Sequence, residues 1–262
     1  MGTQMDFDLR RRLVAEFVGT ALLVVFGTGS VAAALRIDQS GINYSALGFI
    51  SLTFGIVVAS VIYGFGAVSG AHINPAVTVT LAVAKRFSWS EVPGYLVAQL
   101  AGAVGGALLV VAMFGTATAR RGENGLTTLA PGVSPVAGVL AEAVGTFLLM
   151  FTVMAVAVNS QAPKAWAGLM IGLAIASAIL VVGPLSGGSF NPARTFGPYL
   201  VGAVFGAETP WLDLGVYIVG PLVGAILAAL VYGVVVLRHP VSSASVQAGS
   251  DESESQTFRG EE

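Results

Sequence analysis

The chain has 262 residues, of which 55% are hydrophobic and only 10% are charged. A soluble domain carries about 25% charged residues, so the composition excludes a water-soluble globular protein and predicts a polytopic membrane protein. The net charge of -2 argues against a nucleic-acid partner. The chain has no cysteine and two histidines, which excludes disulfides and thiolate sites and disfavours a histidine-based metal centre. We therefore expect neither a metal nor a cofactor.

Six apolar segments reach the length of about 20 residues that a membrane span needs. They cover approximately residues 13–35, 47–67, 92–114, 136–158, 165–184 and 214–237. Two further apolar pieces, 74–84 and 191–204, have about half that length. The pattern predicts a short N-terminal segment over residues 1–12, a membrane domain over 13–237, and a disordered polar tail over 238–262.

The positive charges predict the orientation in the membrane. With the N-terminus in the cytoplasm, eight cationic side chains fall inside and three outside, so we expect both termini in the cytoplasm of a cell-membrane protein. The inner set is Arg10, Arg11, Arg12, Lys85, Arg86, Lys164, Arg238 and Arg259, and the outer set is Arg36, Arg120 and Arg121.

The two halves of the chain repeat each other. Residues 15–23 match residues 141–149, and the tripeptide at 74–76 matches that at 191–193. Each half, about 13–115 and 135–237, therefore holds three spans and one half-length piece. Because three is odd, the halves enter the membrane with opposite orientations, which predicts an inverted repeat with a solute site near the midplane.

The repeated tripeptides predict two short helices that enter the membrane without crossing it. Asparagine is a strong helix N-cap and proline is favoured at the first helical position, so each tripeptide marks a helix start. Two such half-helices can meet at the midplane, each with about half a positive charge at its N-terminus. The preceding loops, 66–73 and 183–190, must line a cavity, because irregular backbone is not tolerated against lipid. The tripeptides are Asn74-Pro75-Ala76 and Asn191-Pro192-Ala193.

Such a cavity has a predictable chemistry. The loops offer backbone carbonyl acceptors, and the capping Asn74 and Asn191 use their side-chain oxygens on helix N–H groups, which leaves their NH₂ groups free for a solute. The facing helix ends, together with Arg194, oppose cations and protons. The sequence thus predicts a passive pathway for small, uncharged molecules that form hydrogen bonds.

These motifs resemble the major intrinsic protein family of aquaporins and glycerol facilitators. The resemblance covers about residues 10–238 and rests on both Asn-Pro-Ala motifs, on Arg194 after the second, and on the paired Ala-Glu-x-x-Gly-Thr openings. It implies an all-α membrane fold, a right-handed bundle of six tilted helices with two re-entrant half-helices. It also implies a homotetramer with one pore in each subunit, embedded in the lipid bilayer.

The resemblance assigns roles to further residues. It implies an outer constriction at Phe54, Ile179, Gly188 and Arg194, and a file of pore carbonyls at Gly70, Ala71, His72, Gly187, Ser189 and Phe190. It favours a scaffold role for the buried acids Glu16 and Glu142, each accepting backbone N–H groups of a re-entrant loop. Ionisable residues inside spans are otherwise candidates for proton coupling, so a proton-coupled transporter stays open as an alternative.

The solute range is less defined by the motifs. Strict water channels of the family tend to carry histidine at the position of Ile179, whereas glycerol facilitators combine two aromatics with a glycine there. The branched chain of Ile179 and the missing side chain of Gly188 predict a wider, moderately apolar ring. We therefore expect a non-enzymatic channel for water and small neutral solutes such as glycerol, with a strict water channel as the alternative. Secondary markers are divided: Thr195 and Tyr217 resemble water channels, and Ile218 resembles facilitators. Tyr199 fits neither class.

Overall fold

The computed structural model describes residues 7–236; the predicted tail and Arg238 and Arg259 lie outside this range. All regular elements within it are helices. Six of these are long and apolar enough to cross a membrane, in agreement with the six predicted spans. They are α1 (Leu9–Ile37), α2 (Tyr44–Ser69), α4 (Val92–Phe114), α6 (Pro135–Thr152, continued by a π-helical turn Val153–Val158), α7 (Ala167–Ser186) and α9 (Leu214–Val235).

Two shorter helices, α3 (Pro75–Val83) and α8 (Pro192–Val204), start at the Asn-Pro motifs. Each is capped by the preceding asparagine and has proline in its first turn. A nine-residue helix such as α3 rises about 14 Å, which is half the hydrocarbon thickness of about 30 Å. The expected arrangement of six spans and two half-helices is therefore confirmed.

The loops before the half-helices are shorter than the sequence predicts. Helix α2 continues to Ser69 and helix α7 to Ser186, because carbonyls in their last turns still accept hydrogen bonds from the capping residues. Gly70 and Gly187 adopt left-handed conformations (φ 86° and 80°), and their N–H groups donate to the carbonyls four residues earlier. Such left-handed glycines end helices at little cost. Between α2 and α3 only residues 70–74 are irregular backbone, and between α7 and α8 only residues 187–191.

The two repeats pack in the same way. Helix α1 packs along α4, and α6 packs along α9. A Cβ atom on Gly102 would lie 2.2 Å from the carbonyl oxygen of Phe17, and one on Gly224 would lie 2.0 Å from that of Ala143. The glycines thus let the helix backbones touch, as small residues do between membrane helices.

The connection between the repeats crosses one end of the bundle. It contains the short helix α5 (Thr116–Arg120), which the sequence analysis did not predict. Asn124 and Thr127 in this connection are fully buried. The segment is therefore part of the packed molecule and lies against the second half-helix.

Candidate pore

The two Asn-Pro-Ala motifs are built alike and lie against each other. The side-chain oxygen of Asn74 accepts from the N–H of Ala76 at 2.9 Å, and that of Asn191 accepts from Ala193 at 3.0 Å and from Arg194 at 3.3 Å. Both asparagines are buried. The oxygens therefore satisfy the first N–H groups of α3 and α8, as N-caps do.

The NH₂ groups of the asparagines are not wholly free, contrary to the expectation. Asn74 Nδ2 donates to the carbonyl of Phe190 at 2.8 Å, and Asn191 Nδ2 donates to the carbonyl of Ile73 at 2.8 Å. The reason is the close approach of the repeats, which brings each amide against the loop of the other half. Since an amide has two N–H donors, one on each asparagine takes no part in these bonds.

Glu16 of α1 holds the first loop. Its carboxylate accepts from the backbone N–H groups of His72 at 2.9 Å and Ile73 at 2.7 Å, and from Ser69 Oγ at 2.7 Å. A fourth donor is Gln99 Nε2, at 2.9 Å. Glu16 is fully buried, and its oxygens satisfy loop donors that the helices cannot.

Glu142 of α6 holds the second loop in the same way. It accepts from Ser189 N at 2.9 Å, Phe190 N at 2.7 Å and Ser186 Oγ at 2.6 Å. The repeat differs at one point. Tyr95 donates to the carbonyl of Ser69, the last residue of α2, and Tyr217 donates to the carbonyl of Ser186, the last residue of α7. Four residues after each tyrosine, the first repeat has Gln99 and the second has Pro221. Proline supplies no side-chain donor, so Glu142 has three partners where Glu16 has four.

The direction of the loop carbonyls follows from these bonds. No peptide bond in the described chain is cis, so each C=O points opposite to the N–H of the same peptide unit. The N–H groups of His72 and Ile73 point to Glu16, so the carbonyls of Ala71 and His72 point away from it. By the same argument the carbonyls of Gly188 and Ser189 point away from Glu142.

An inner cavity of about 340 Å³ opens at one end of this arrangement. It reaches both motif asparagines and is lined by three of the predicted carbonyl residues, Gly70, Ala71 and His72. Its lining also includes aliphatic side chains, among them Leu149, Val153 and Ile171. The cavity thus combines polar loop residues with apolar side chains.

An outer cavity of about 390 Å³ lies at the other end. It brings together Phe54, Ile179 and Arg194 of the predicted constriction. Gly188 does not line this cavity; Gly187 does. A Cβ atom on Gly188 would lie 3.3 Å from the ring of Phe190 and 3.5 Å from the backbone of Gly183. The missing side chain therefore does not widen the ring, because it would point toward packed atoms.

Arg194 is buried at the base of the outer cavity, with 3% of its surface exposed. Its Nη1 donates to the carbonyl of Gly125 at 2.7 Å, and its guanidinium carbon lies 5.2 Å from the centre of the Phe54 ring. Within residues 7–236, Nε is buried with no hydrogen-bond partner. The side chain is thus held inside the protein and does not extend to a lipid headgroup.

Comparison with known proteins identifies the family. The model of the Major intrinsic protein family matches residues 3–232. The chain belongs to the major intrinsic protein family. It is 46% identical to Aquaporin AqpM of Methanothermobacter marburgensis over 238 residues, which are 86% of this chain and 97% of that protein. It is 37% identical to Aquaporin NIP1-4 of Oryza sativa subsp. japonica over 206 residues, 79% of this chain and 72% of the relative.

A solved structure from the same family has a similar fold. An aquaglyceroporin from Plasmodium falciparum superposes with a TM-score of 0.77 at 23% identity and covers 87% of this chain and 97% of its own. This likeness shows the aquaporin fold. The protein is therefore a multi-pass membrane channel of the aquaporin family and not an enzyme.

Two buried polar residues of this aquaporin-family site, Gln99 and Tyr95, were not predicted from the sequence. Gln99 bridges Glu16 Oε2 at 2.9 Å and Thr78 Oγ1 at 2.8 Å, and Tyr95 donates to the carbonyl of Ser69 at 2.8 Å. Both are fully buried. A polar residue inside an apolar span was the available signal, since such residues need partners.

His72 is surrounded rather than free. Its Nδ1 lies 3.2 Å from Thr78 Oγ1, and its ring lies 4.7 Å from that of Phe87 and 5.1 Å from that of Tyr95. The histidine also lines the inner cavity. His72 therefore belongs to the cavity wall while its ring is packed against Thr78, Phe87 and Tyr95.

Proposed function

We propose that this protein is a passive channel for water and small neutral solutes such as glycerol, and that it excludes ions and protons. The observation that carries the proposal is the meeting of Ile179, Phe54 and Arg194 on the outer cavity. A guanidinium on one side and apolar side chains on the other suit a solute whose hydroxyl groups face one way and whose carbon atoms face the other.

Ile179 is the residue on which the solute range depends. A polar side chain at this position would offer water a hydrogen bond and would fill part of the ring. The branched aliphatic chain offers none, and burial of apolar solute surface against it is favourable. The apolar character of the ring thus depends on Ile179, and Gly188 does not widen it.

Ion exclusion follows from the ends of the half-helices. Helices α3 and α8 start at Asn74 and Asn191, and each asparagine donates a hydrogen bond to the loop of the other repeat. Two positive dipole ends therefore face the same point. Arg194 adds a buried positive charge within one turn. Cations and protons meet repulsion at both places, whereas a neutral solute meets a free amide donor and loop carbonyls.

The two buried acids act as scaffold in this proposal. Each carboxylate is occupied by two backbone N–H groups and one serine hydroxyl of its re-entrant loop. A proton carrier would have to break these bonds in every cycle and leave buried donors unpaired, which costs about 1–3 kcal/mol for each group. The contacts thus favour the scaffold role over proton coupling.

The wider organisation is also proposed. Six spans are an even number, so both ends of the membrane domain, residues 13–237, lie on one side, and the charge distribution favours the cytoplasm of a cell membrane. Large apolar side chains are exposed along the outer faces of the helices, among them Val14, Ile56 and Leu140. These faces are suited to lipid and to neighbouring subunits of a homotetramer.

The decisive measurement is stopped-flow light scattering on proteoliposomes. We expect fast water flux under a sorbitol gradient and glycerol entry under a glycerol gradient, both independent of an imposed pH gradient. The variant Ile179→His should retain water flux and lose glycerol flux, and Ile179→Val should retain both. Fast water flux with glycerol exclusion in the unaltered protein would establish the strict water channel instead, and solute uptake driven by the pH gradient would establish a transporter.

A further inference from the structure

The guanidinium of Arg194 is held by few contacts for a buried charge. The guanidinium has five N–H donors, and one of them, at Nη1, donates to the carbonyl of Gly125. Nε is buried and has no hydrogen-bond partner within residues 7–236. The position of the guanidinium therefore depends on where the carbonyl of Gly125 lies. Gly125 belongs to the connection between the repeats and not to either half-helix.

Three further hydrogen bonds attach this connection to α8, besides the one from Arg194 to Gly125. Asn124 Nδ2 donates to the carbonyl of Pro198 at 3.1 Å, and Tyr199 Oη donates to the carbonyl of Thr127 at 2.7 Å. The hydroxyls of Thr127 and Thr195 lie 3.1 Å apart. We call residues 124–127 the Gly125 clamp. The clamp is thus bonded to α8 on both sides of the carbonyl that meets Arg194, through the side chain of Asn124 and the carbonyl of Thr127.

The clamp is also braced against α1. Gly125 has φ +83°, and a Cβ atom there would lie 2.3 Å from the Cβ of Thr28. The backbone therefore fits only without a side chain at this position. Leu126, the next residue, lines the outer cavity together with Arg194, so a shift of the clamp changes the wall of the cavity as well as the guanidinium.

The hydroxyl of Thr195 connects the clamp with the second re-entrant loop. It lies 2.6 Å from Ser189 Oγ, which in turn donates to the carbonyl of Asn191 at 2.9 Å. Thr127, Thr195 and Tyr199 are fully buried and do not line the outer cavity. They can affect a solute only through the groups that they hold.

We propose that Thr127, Thr195 and Tyr199 are positioning residues that determine the solute selectivity of the channel: the hydrogen bonds among them fix the carbonyl of Gly125, which in turn holds Arg194 at a fixed distance from Phe54 and Ile179. The proposal rests on the proposed function, because it treats the outer cavity as the place where solutes are selected. With the clamp released, the guanidinium is no longer fixed and the ring becomes less discriminating. Larger neutral solutes then gain relative to water.

The test compares Thr127→Val and Tyr199→Phe with the unaltered protein. Both variants keep the volume of the side chain and remove a hydroxyl. Permeability to water, formamide, urea and glycerol is measured by stopped-flow light scattering in proteoliposomes with equal amounts of inserted protein. We expect the ratio of glycerol to water permeability to rise about threefold in each variant, the size of effect that loss of one net hydrogen bond allows.

Two further variants separate positioning from general stability. Thr127→Ser keeps the hydroxyl and should restore the original ratio. Thr80→Val is the matched control: Thr80 is fully buried on the other half-helix, and its hydroxyl has no hydrogen-bond partner within residues 7–236. It should leave the ratio unchanged. The double variant Thr127→Val/Thr195→Val should change the ratio by less than the product of the single effects, because the two hydroxyls share one bond.

The outcomes distinguish this inference from the proposed function. If the unaltered protein excludes glycerol, the proposed function fails, and the inference still predicts that Thr127→Val and Tyr199→Phe admit formamide or urea more readily than the unaltered protein does. Identical ratios across all solutes in folded variants would overturn the inference. A uniform fall of all permeabilities by the same factor would also overturn it, because that result indicates a structural role only.

Discussion

Gly55 of α2 and Gly172 of α7 touch backbone to backbone at the centre of the molecule. A Cβ atom on Gly172 would lie 2.3 Å from the carbonyl oxygen of Gly55, and one on Gly55 would lie 2.8 Å from that of Gly172. The two glycines occupy the same position in the two repeats, 19 residues before Asn74 and Asn191. Their contact therefore marks the pseudo-two-fold axis of the inverted repeat.

Substitution of this contact should destabilise the whole bundle. In Gly172→Ala the added methyl meets backbone rather than a movable side chain, so α2 and α7 must separate. We expect a loss of about 1–3 kcal/mol or more, the cost of overpacking, measured as a lower thermal midpoint in detergent. The control is Gly48→Ala on α2, where no atom lies within 4 Å of the added Cβ. Equal midpoints for the two variants would contradict the close contact.

The two buried acids should respond differently to replacement by glutamine. In Glu142→Gln the new NH₂ group faces a backbone donor, and a buried N–H without a partner costs about 1–3 kcal/mol. In Glu16→Gln the new NH₂ group also faces a backbone donor, but the neighbouring Gln99 can turn over, so that its Oε1 accepts from the new amide. Thermal midpoints measured in parallel should therefore fall more for Glu142→Gln. A larger fall for Glu16→Gln would refute this account.

Removal of Arg194 should widen the outer constriction without opening the pore to cations. In Arg194→Ala the wall opposite Phe54 and Ile179 is lost, so we expect a higher ratio of glycerol to water permeability. The N-termini of α3 and α8 are unchanged and keep their positive potential. Flux assays with K⁺ and proton gradients should therefore show no conductance. A cation leak would mean that the side chain, and not the helix ends, provides the barrier.

Arg12 should contribute more to stability than its ion pair alone. Its Nη2 lies 2.6 Å from Oε2 of Glu91, and its Nε donates to Tyr95 Oη at 3.0 Å. Its guanidinium carbon lies 5.8 Å from the centre of the Phe87 ring. A partly exposed ion pair is worth about 0.2–1 kcal/mol, and a cation–π contact adds about 0.5–1 kcal/mol. Arg12→Ala should thus lower the thermal midpoint more than Glu91→Ala. A double-mutant cycle in detergent measures the pair, and a coupling near zero would remove Glu91 from the account.

The class of protein and the plan of the fold could be read from the sequence because they depend on local patterns. A run of about 20 apolar residues has the length of a membrane span, and Asn-Pro favours a helix start at its own position. The repeat at Asn74 and Asn191, with an odd number of spans in each half, then requires opposite orientations. These statements need no knowledge of which helices touch.

The helix ends were less well predicted because they depend on capping geometry. From the sequence, Gly66 and Gly183 predict the ends of the helices, but their carbonyls accept hydrogen bonds from the N–H groups of Gly70 and Gly187. The helices therefore continue to Ser69 and Ser186. A glycine in a sequence does not reveal whether it interrupts a helix or lies inside one.

The sequence by itself determined a membrane protein with two inverted halves, two capped half-helices and an arginine beside the second. Only the tertiary structure decided how the motif amides are shared, where the Gly188 backbone points, and which carbonyl holds Arg194. The physical reason is that these features are contacts between distant segments: Asn74 with Phe190, and Arg194 with Gly125. Local preference determines where a helix starts, whereas the packing of the two halves determines what each buried polar group can reach.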